Sequence, residues 1–331
     1  MLCRSGESAS AIGTGVKMYE VARCLICNGN SLESCRALFS PFIAKRIWSR
    51  RPFPIELLTC KACSFIFANP RFDPDEEKTL YTGYRAAEYQ KERHTCEPWY
   101  TEGFNRSLFS PEVLAKRRGP LAAIFREHVP RSVKTILDFG GDRGDLFEGL
   151  VPGSSTYVYD ISGVEPVNGV NALRGLDDCA AHRFDLIACS NVLEHVGSPR
   201  SIVDEINKIA APDSLFFIEV PSESPFGTAG FVKRFAQQLI LLGARPGLAV
   251  SMLPFDFVRL VHEHVNFFSV ESLTKLMQVS GLEVLAKGPY SSSSFSFGPY
   301  KLAAGRMAWC LARRQGGHNH ATLRGHLREG H

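Results

Sequence analysis

Thr135-Ile136-Leu137-Asp138-Phe139-Gly140-Gly141-Asp142-Arg143-Gly144 decides the fold. An apolar run reaches an acidic residue and turns through glycines, and a helix-like segment is expected to follow. About 20 residues on, a second apolar run, Thr156-Tyr157-Val158-Tyr159, ends in Asp160. A third, Phe184-Asp185-Leu186-Ile187-Ala188-Cys189, ends in Ser190-Asn191. Strands that each stop at a polar residue, with helical stretches between them, predict an open, mostly parallel sheet whose strand ends line a nucleotide crevice.

The pattern extends in both directions. From Val133 to about Leu285 strands alternate with helices, the sign of a parallel sheet. Ile202, Val203, Ile206 and Ile209 recur at helical spacing after His195. Ser214–Val220 reads as a buried strand. Ser269 caps a predicted helix over 270–280, with Leu273, Leu276 and Met277 on one face and Gly281 past its end. Ser110-Pro111 opens a helical stretch expected to break near Gly119-Pro120 and resume to about Val129. Residues 224–260 interrupt the alternation and are long for a loop, which predicts a lid or cap. The expected organisation is a flexible tail (1–20), a metal-binding module (21–95), a helical linker (96–132), the sheet domain (133–313) and a disordered tail (314–331). Met18 precedes the first patterned segment, so residues 1–17 read as an extension.

Composition narrows the class. With 331 residues and 44% apolar content, the chain has room for one large domain and a small one. A net charge of +4 is too small to argue for nucleic acid. Met1 to Val16 lacks the layout of a signal peptide, and no apolar run is long enough for a membrane span. Four of the ten cysteines form two CxxC pairs. That usage points to metal binding in a reducing, cytoplasmic setting rather than to a disulfide framework.

Those pairs are Cys24-Leu25-Ile26-Cys27 and Cys60-Lys61-Ala62-Cys63, with 32 residues between them. Two residues between thiolates let one backbone turn present both sulfurs to one ion. Two such knuckles complete a tetrahedral shell of four thiolates, which suits zinc. With all four positions taken by protein, the zinc would be structural. The intervening residues fit a hairpin with an insertion.

The glycine stretch resembles the first motif of class I S-adenosylmethionine-dependent methyltransferases, D/E-x-G-x-G-x-G. Asp138, Gly140 and Gly144 match it; Asp142 stands at the middle glycine, and Gly141 is an extra glycine at a variable position. The resemblance implies a Rossmann-like, seven-stranded α/β sheet that binds S-adenosylmethionine, with Asp160 accepting from the ribose hydroxyls. Asp177 is the candidate on the adenine side. Asn191-Val192-Leu193-Glu194-His195 resembles the N-x-L-E-H segment of small-molecule methyltransferases, which puts Asn191 at the cofactor and His195 near the transferred methyl or shaping the pocket.

Glu263-His264-Val265-Asn266-Phe267-Phe268-Ser269 resembles the EHxxYFS segment of sugar C-methyltransferases, with Phe267 in place of tyrosine. Those enzymes also carry a four-cysteine zinc domain before the cofactor domain. The resemblance implies that His264 is a base and that Glu263 supports it; an imidazole suits proton removal at neutral pH. It spans about residues 22–290, and the sizeable third domain of those enzymes has no counterpart in the remaining stretch.

The reading is a zinc-stabilised methyltransferase acting on carbon or oxygen of a small acceptor, a sugar or similar hydroxylated metabolite. Some rRNA methyltransferases also join a zinc module to this fold, so rRNA or tRNA methylation is the alternative. Its candidate surface is Lys45, Arg46, Arg50 and Arg51 beside Trp48 and Phe53. A non-catalytic S-adenosylmethionine-binding protein would not need Asp138, Asp160, His195 and His264 together. Nothing in the sequence signals an oligomeric state.

Overall fold

The computed structural model describes residues 19–108, 110–226, 228–252, 259–297 and 300–315. The expected tails fall outside the described residues except at their inner ends.

The chain first builds an antiparallel hairpin from the cysteine pairs. β1 (Leu32–Phe39) runs against β2 (Pro54–Cys60), with Leu32 opposite Cys60, and α1 (Pro41–Trp48) is inserted between them. The Ser40 hydroxyl accepts from the Ile43 amide at the start of α1, Pro41 opens the first turn, and Phe42, Ile43 and Ala44 are buried. β3 (Ile66–Asn69) pairs antiparallel with β2. Three further helices follow before the long one: α2 (Pro74–Tyr81), closed by an Asp73/Glu76 capping box, α3 (Ala87–Cys96) and α4 (Glu102–Leu108).

α5 (Pro111–His128) starts at Ser110 as expected but runs unbroken through Pro120. A proline inside a helix removes one hydrogen bond and strains the preceding turn. Packing outweighs that here. Leu121 and Phe125 are buried, and the Phe125 ring lies 5.7 Å from Phe147 and 4.9 Å from Phe217.

The central sheet then forms from β4 (Thr135–Phe139), β5 (Ser155–Tyr159) and β6 (Val170–Leu173). α6 (Leu176–Ala181), β7 (Leu186–Ser190), α7 (Pro199–Ile209) and β8 (Leu215–Pro221) come next. α8 (Thr228–Ala244) and α9 (Pro246–Met252) occupy most of the predicted lid. β9 (Leu260–Val261), β10 (Asn266–Phe267), α10 (Val270–Val279), β11 (Leu282–Phe297) and β12 (Tyr300–Arg314) complete the chain. The seven-stranded order is β11-β12-β8-β7-β4-β5-β6. β4 pairs in parallel with both β5 and β7, while β12 and β11 are antiparallel. The order therefore reverses at β4, and the crevice opens at its carboxyl end.

The helix-like segment expected after the glycine turn is not a helix. Residues 142–154 form successive turns. Gly149 and Gly153 adopt φ of 67° and 75°, a handedness a right-handed helix cannot use, and Pro152 stands between them.

A second, five-stranded sheet has the order β10-β3-β2-β1-β9. β9 pairs in parallel with β1, and β10 antiparallel with β3. The stretch carrying His262, Glu263 and His264 thus hangs between two strands added to the amino-terminal hairpin. Arg71, 1% exposed, fastens this junction. Its guanidinium donates to the carbonyls of Ala68, Val196, Gly197 and Val265 and to Asn266 Oδ1. Among the described residues no helix is long and apolar enough to cross a membrane.

Candidate active site and cysteine cluster

The glycine turn is held from below and above. Gly140, Asp142 and Gly144 have φ of 72°, 54° and 73°. Aspartate is one of the few residues that tolerate this region, so Asp142 can replace glycine there. A Cβ on Gly140 would lie 2.5 Å from Val192, and one on Gly144 would lie 2.6 Å from Val170. On Gly141 it would lie 2.0 Å from the Asp138 carboxyl carbon. Gly141, an extra glycine to the motif, is therefore required by the acid beneath it. Asp138 is fully buried and neither of its oxygens is hydrogen-bonded. Burial pushes its carboxyl well above the usual range, despite Arg117.

Asp160 crosses to this turn from the end of β5. Its carboxylate accepts from the amides of Asp142 at 2.9 Å and Ser162 at 2.8 Å, and from the Tyr84 hydroxyl at 3.3 Å. Arg85 pairs with Asp142 at 2.6 Å. Tyr84 and Arg85 come from the turn between α2 and α3, so the amino-terminal part of the chain covers the glycine turn. Asn191, with φ of 55°, follows β7; its amide donates to the Glu219 carbonyl and its buried Oδ1 has no partner. Asp177 stands apart, exposed in the first turn of α6 beyond β6. Beside Asn191, Arg117 donates to Ser190 at 2.8 Å and to Glu219 at 2.7 Å, and the Tyr290 hydroxyl donates to Glu219 at 2.6 Å.

The two histidines singled out in the sequence meet. The rings of His195 and His264 are 4.8 Å apart and near-perpendicular. His195 Nδ1 lies 3.2 Å from both the Tyr81 hydroxyl and the Glu263 carbonyl oxygen. Burial, then the neighbouring His264, hold its imidazole well below the ordinary histidine range. Asn266 sets the meeting. Its side-chain amide donates to the Leu193 and Val196 carbonyls, and the amides of Val265 and Asn266 donate to the Glu194 carbonyl.

The carboxylate facing His264 is not that of Glu263, expected there, but that of Glu223, 3.2 Å from Nδ1. Glu263 forms an ion pair with Arg93 and offers His195 only its backbone oxygen. His262 turns the other way, to Glu97 at 2.9 Å. Burial alone would raise the Glu97 carboxyl, but His262 and Arg93 hold it down to about 2. Glu194 is 1% exposed, has no hydrogen bond to either oxygen, and is pushed by burial up to about 7. Sequence reasoning passed over Glu194 although it lies inside the quoted N-x-L-E-H segment. Glu223, Tyr84 and Arg85 belong to no motif and carried no signal.

The four cysteines converge. Cys24 and Cys63 sulfurs are 3.5 Å apart, as are those of Cys27 and Cys60, and all four lie within 4.8 Å of one another. Four thiolates at about 2.3 Å from one zinc ion would stand roughly 3.8 Å apart. The two knuckles share a construction. Asn28 (φ 58°) donates its amide to the Cys24 carbonyl, and Ser64 (φ 59°) donates to that of Cys60. Of the basic and aromatic segment, Lys45 and Arg51 are exposed, while Arg46, Trp48, Arg50 and Phe53 are buried or half-buried. Arg46 pairs with Glu92 at 2.6 Å, the Trp48 indole donates to Glu76, and Trp48 and Phe53 pack on each other at 5.1 Å.

A family model described as "Methyltransferase domain" matches residues 111–287, which is 177 of the 331 residues. No curated protein sequence matches the chain. Among solved structures, the chain is similar to a 1,6-didemethyltoxoflavin N1-methyltransferase from Burkholderia thailandensis with bound S-adenosylhomocysteine. Identity is 16% over 78% of this chain and 95% of that one, with a TM-score of 0.44. A magnesium protoporphyrin IX methyltransferase from Synechocystis is 14% identical over 72% of this chain and 99% of that one, with a TM-score of 0.43. The mitomycin 7-O-methyltransferase is 18% identical over 72% and 63%, with a TM-score of 0.40.

Proposed function

The chain belongs to the methyltransferase-domain family, and on that premise we propose that it transfers the methyl group of S-adenosylmethionine to carbon or oxygen of a small hydroxylated acceptor, a sugar or related metabolite. The observation that carries this reading is the meeting of His195 and His264, with His195 in the loop that follows Asn191 at the end of β7.

The residues present fit the cofactor. Gly140 and Gly144 let the turn pass close against Val192 and Val170, and Asp160 faces it with an acceptor pair. A carboxylate offers about four lone-pair directions, of which two amides and the Tyr84 hydroxyl occupy three. Two ribose hydroxyls therefore need Tyr84 to give way at one of them. Asn191, with an unpartnered buried oxygen, is a second contact, and Asp177 remains the candidate for the adenine side. Asp138, sealed under Gly141, acts through the turn it supports. When bound, the cofactor supplies an electrophilic methyl.

The chain's own part is alignment and proton removal. His264, with Nδ1 against Glu223, is the base, and Glu263 holds Arg93 and, through its carbonyl, His195. His195 orients. Cys24, Cys27, Cys60 and Cys63 take one structural zinc, in a reducing, cytoplasmic setting.

The test is turnover in a screen of hydroxylated acceptors, read as S-adenosylhomocysteine release. His264→Ala should lower turnover by about 10²–10⁴ and leave cofactor affinity nearly unchanged; His195→Ala should do less. Near wild-type turnover in His264→Ala would remove it as the base.

A further inference from the structure

We propose that Glu194, His195 and His264 form a second metal site, distinct from the cysteine cluster, which takes a divalent cation such as Mn²⁺ and leaves open positions for oxygen atoms of the acceptor. One ligand atom from each of the three residues lies within 4.8 Å of the others. Adjacent donors about 2.1 Å from an octahedral ion stand roughly 3.0 Å apart, so the side chains would close by up to about 1.8 Å on the ion.

Three independent features point to a cation. Glu194 is 1% exposed and neither of its oxygens has a hydrogen-bond partner. A buried carboxylate without a partner is costly unless a positive ligand joins it. The backbone around it is spoken for, because its own carbonyl accepts from Val265 and Asn266, so only the carboxyl is left over. Both histidines are also arranged as metal-binding imidazoles usually are, with one ring nitrogen tied to an oxygen. His195 Nδ1 meets the Glu263 carbonyl at 3.2 Å, and His264 Nδ1 meets the Glu223 carboxylate at 3.2 Å. An Nδ1–H donated to these oxygens leaves the lone pair on Nε2. That atom of His195 is 3.8 Å from the Glu194 carboxylate. One carboxylate and two imidazoles on one side of an ion leave its other positions open. The oxygen and nitrogen donors suit a harder cation than the four sulfurs do, so the two sites would sort different metals.

The last step alone rests on the methyl-transfer reading. An acceptor hydroxyl bound to the cation loses its proton to solvent more readily. The oxygen's electron pair then forms the O–CH₃ bond, the S–CH₃ bond breaks with its pair remaining on sulfur, and the neutral thioether leaves. With the cation present, His264 serves as its ligand and the proton leaves from the bound oxygen; without it, His264 takes the proton itself.

Mn²⁺ titration of the full, zinc-loaded chain, followed by electron paramagnetic resonance without acceptor, tests the site. One Mn²⁺ should bind per chain. Glu194→Gln and His264→Gln should each weaken it about 100-fold or more, and Glu223→Gln, whose carboxylate faces His264 Nδ1, by about tenfold. Melting and zinc content are recorded for each variant. A folded wild type that binds S-adenosylhomocysteine but no Mn²⁺ at millimolar concentration overturns the site, as does unchanged binding in Glu194→Gln. Mn²⁺ binding without methyl release from any acceptor would keep the site and defeat the methyl-transfer reading instead.

Discussion

The two sheets are put together in opposite ways. In the seven-stranded sheet β4, β5, β6, β7 and β8 follow one another within about 90 residues, and the ends of β4, β5 and β7 bring the glycine turn, Asp160 and Asn191 to one crevice. The five-stranded sheet has a hairpin from residues 32–69 at its centre, and its two outer strands arrive from residues 260–267. The first arrangement makes a crevice from local order. The second uses distant segments to set two histidines face to face. On the proposed reading, cofactor binding and acceptor chemistry would thus draw on different kinds of stability, and the contrast can be pressed by experiment.

The largest effect is expected at the cysteine cluster. Cys24, Cys60 and Cys63 lie in one apolar core with Leu193, Phe268 and Met277, so loss of a metal held there would reach both sheets. In small zinc domains the metal supplies on the order of 10 kcal/mol. Cys60→Ser should remove zinc from the pure protein, unfold the five-stranded sheet and abolish turnover. Unchanged metal content and melting in that variant would separate the sheet from any zinc.

Arg71→Met comes next. It strips the guanidinium from four carbonyls and the Asn266 oxygen at the junction. Unpaired buried acceptors should cost at least about 3 kcal/mol in urea unfolding. A variant as stable as wild type would show the two sheets to be independent.

Glu97 gives the junction a pH signature. Its folded carboxyl is held down to about 2, below the ordinary 4.5. A depressed carboxylate stabilises above its unfolded pKa, and that share is lost as pH falls from about 4.5 through about 2. It amounts to about 3 kcal/mol. Wild type should therefore lose more stability than Glu97→Gln between pH 5 and 2; parallel curves would mean His262 and Arg93 do not hold the carboxylate.

The smallest effect belongs to the local crevice. Asp160→Ala removes the acceptor expected at the ribose, a loss of roughly 1.5–3 kcal/mol, or about tenfold or more in affinity. Calorimetry with S-adenosylhomocysteine measures it, and equal affinities would take Asp160 out of the site.

Much of the crevice was legible because its residues are contiguous. Asp138 to Gly144 is one strand and one turn, the helical spacing of Ile202, Val203, Ile206 and Ile209 appears as α7, and Ser269 caps α10 as read. What escaped depends on partners far away in the chain. β9 and β10 are two residues each, too short for a periodic pattern. Glu223 meets His264 across 41 residues and Tyr84 reaches Asp160 across 76, with no motif to mark either pair. Local punctuation also misled in both directions. Pro120 suggested a break that the burial of Leu121 and Phe125 overrides, and the glycine turn suggested a helix that Gly149 and Gly153 prevent.

The late arrival of β9 and β10 bears on synthesis. When β1, β2 and β3 have left the ribosome, the segments that cover both edges of their sheet are still about 200 residues from being made. At 5–20 residues per second that interval lasts roughly 10–40 s. Through it the nascent hairpin presents unpaired strand edges, the surface most prone to join a neighbouring chain. The helix inserted between β1 and β2 and, if the knuckles take their proposed zinc early, the metal are the local devices available to keep that half-built sheet to itself.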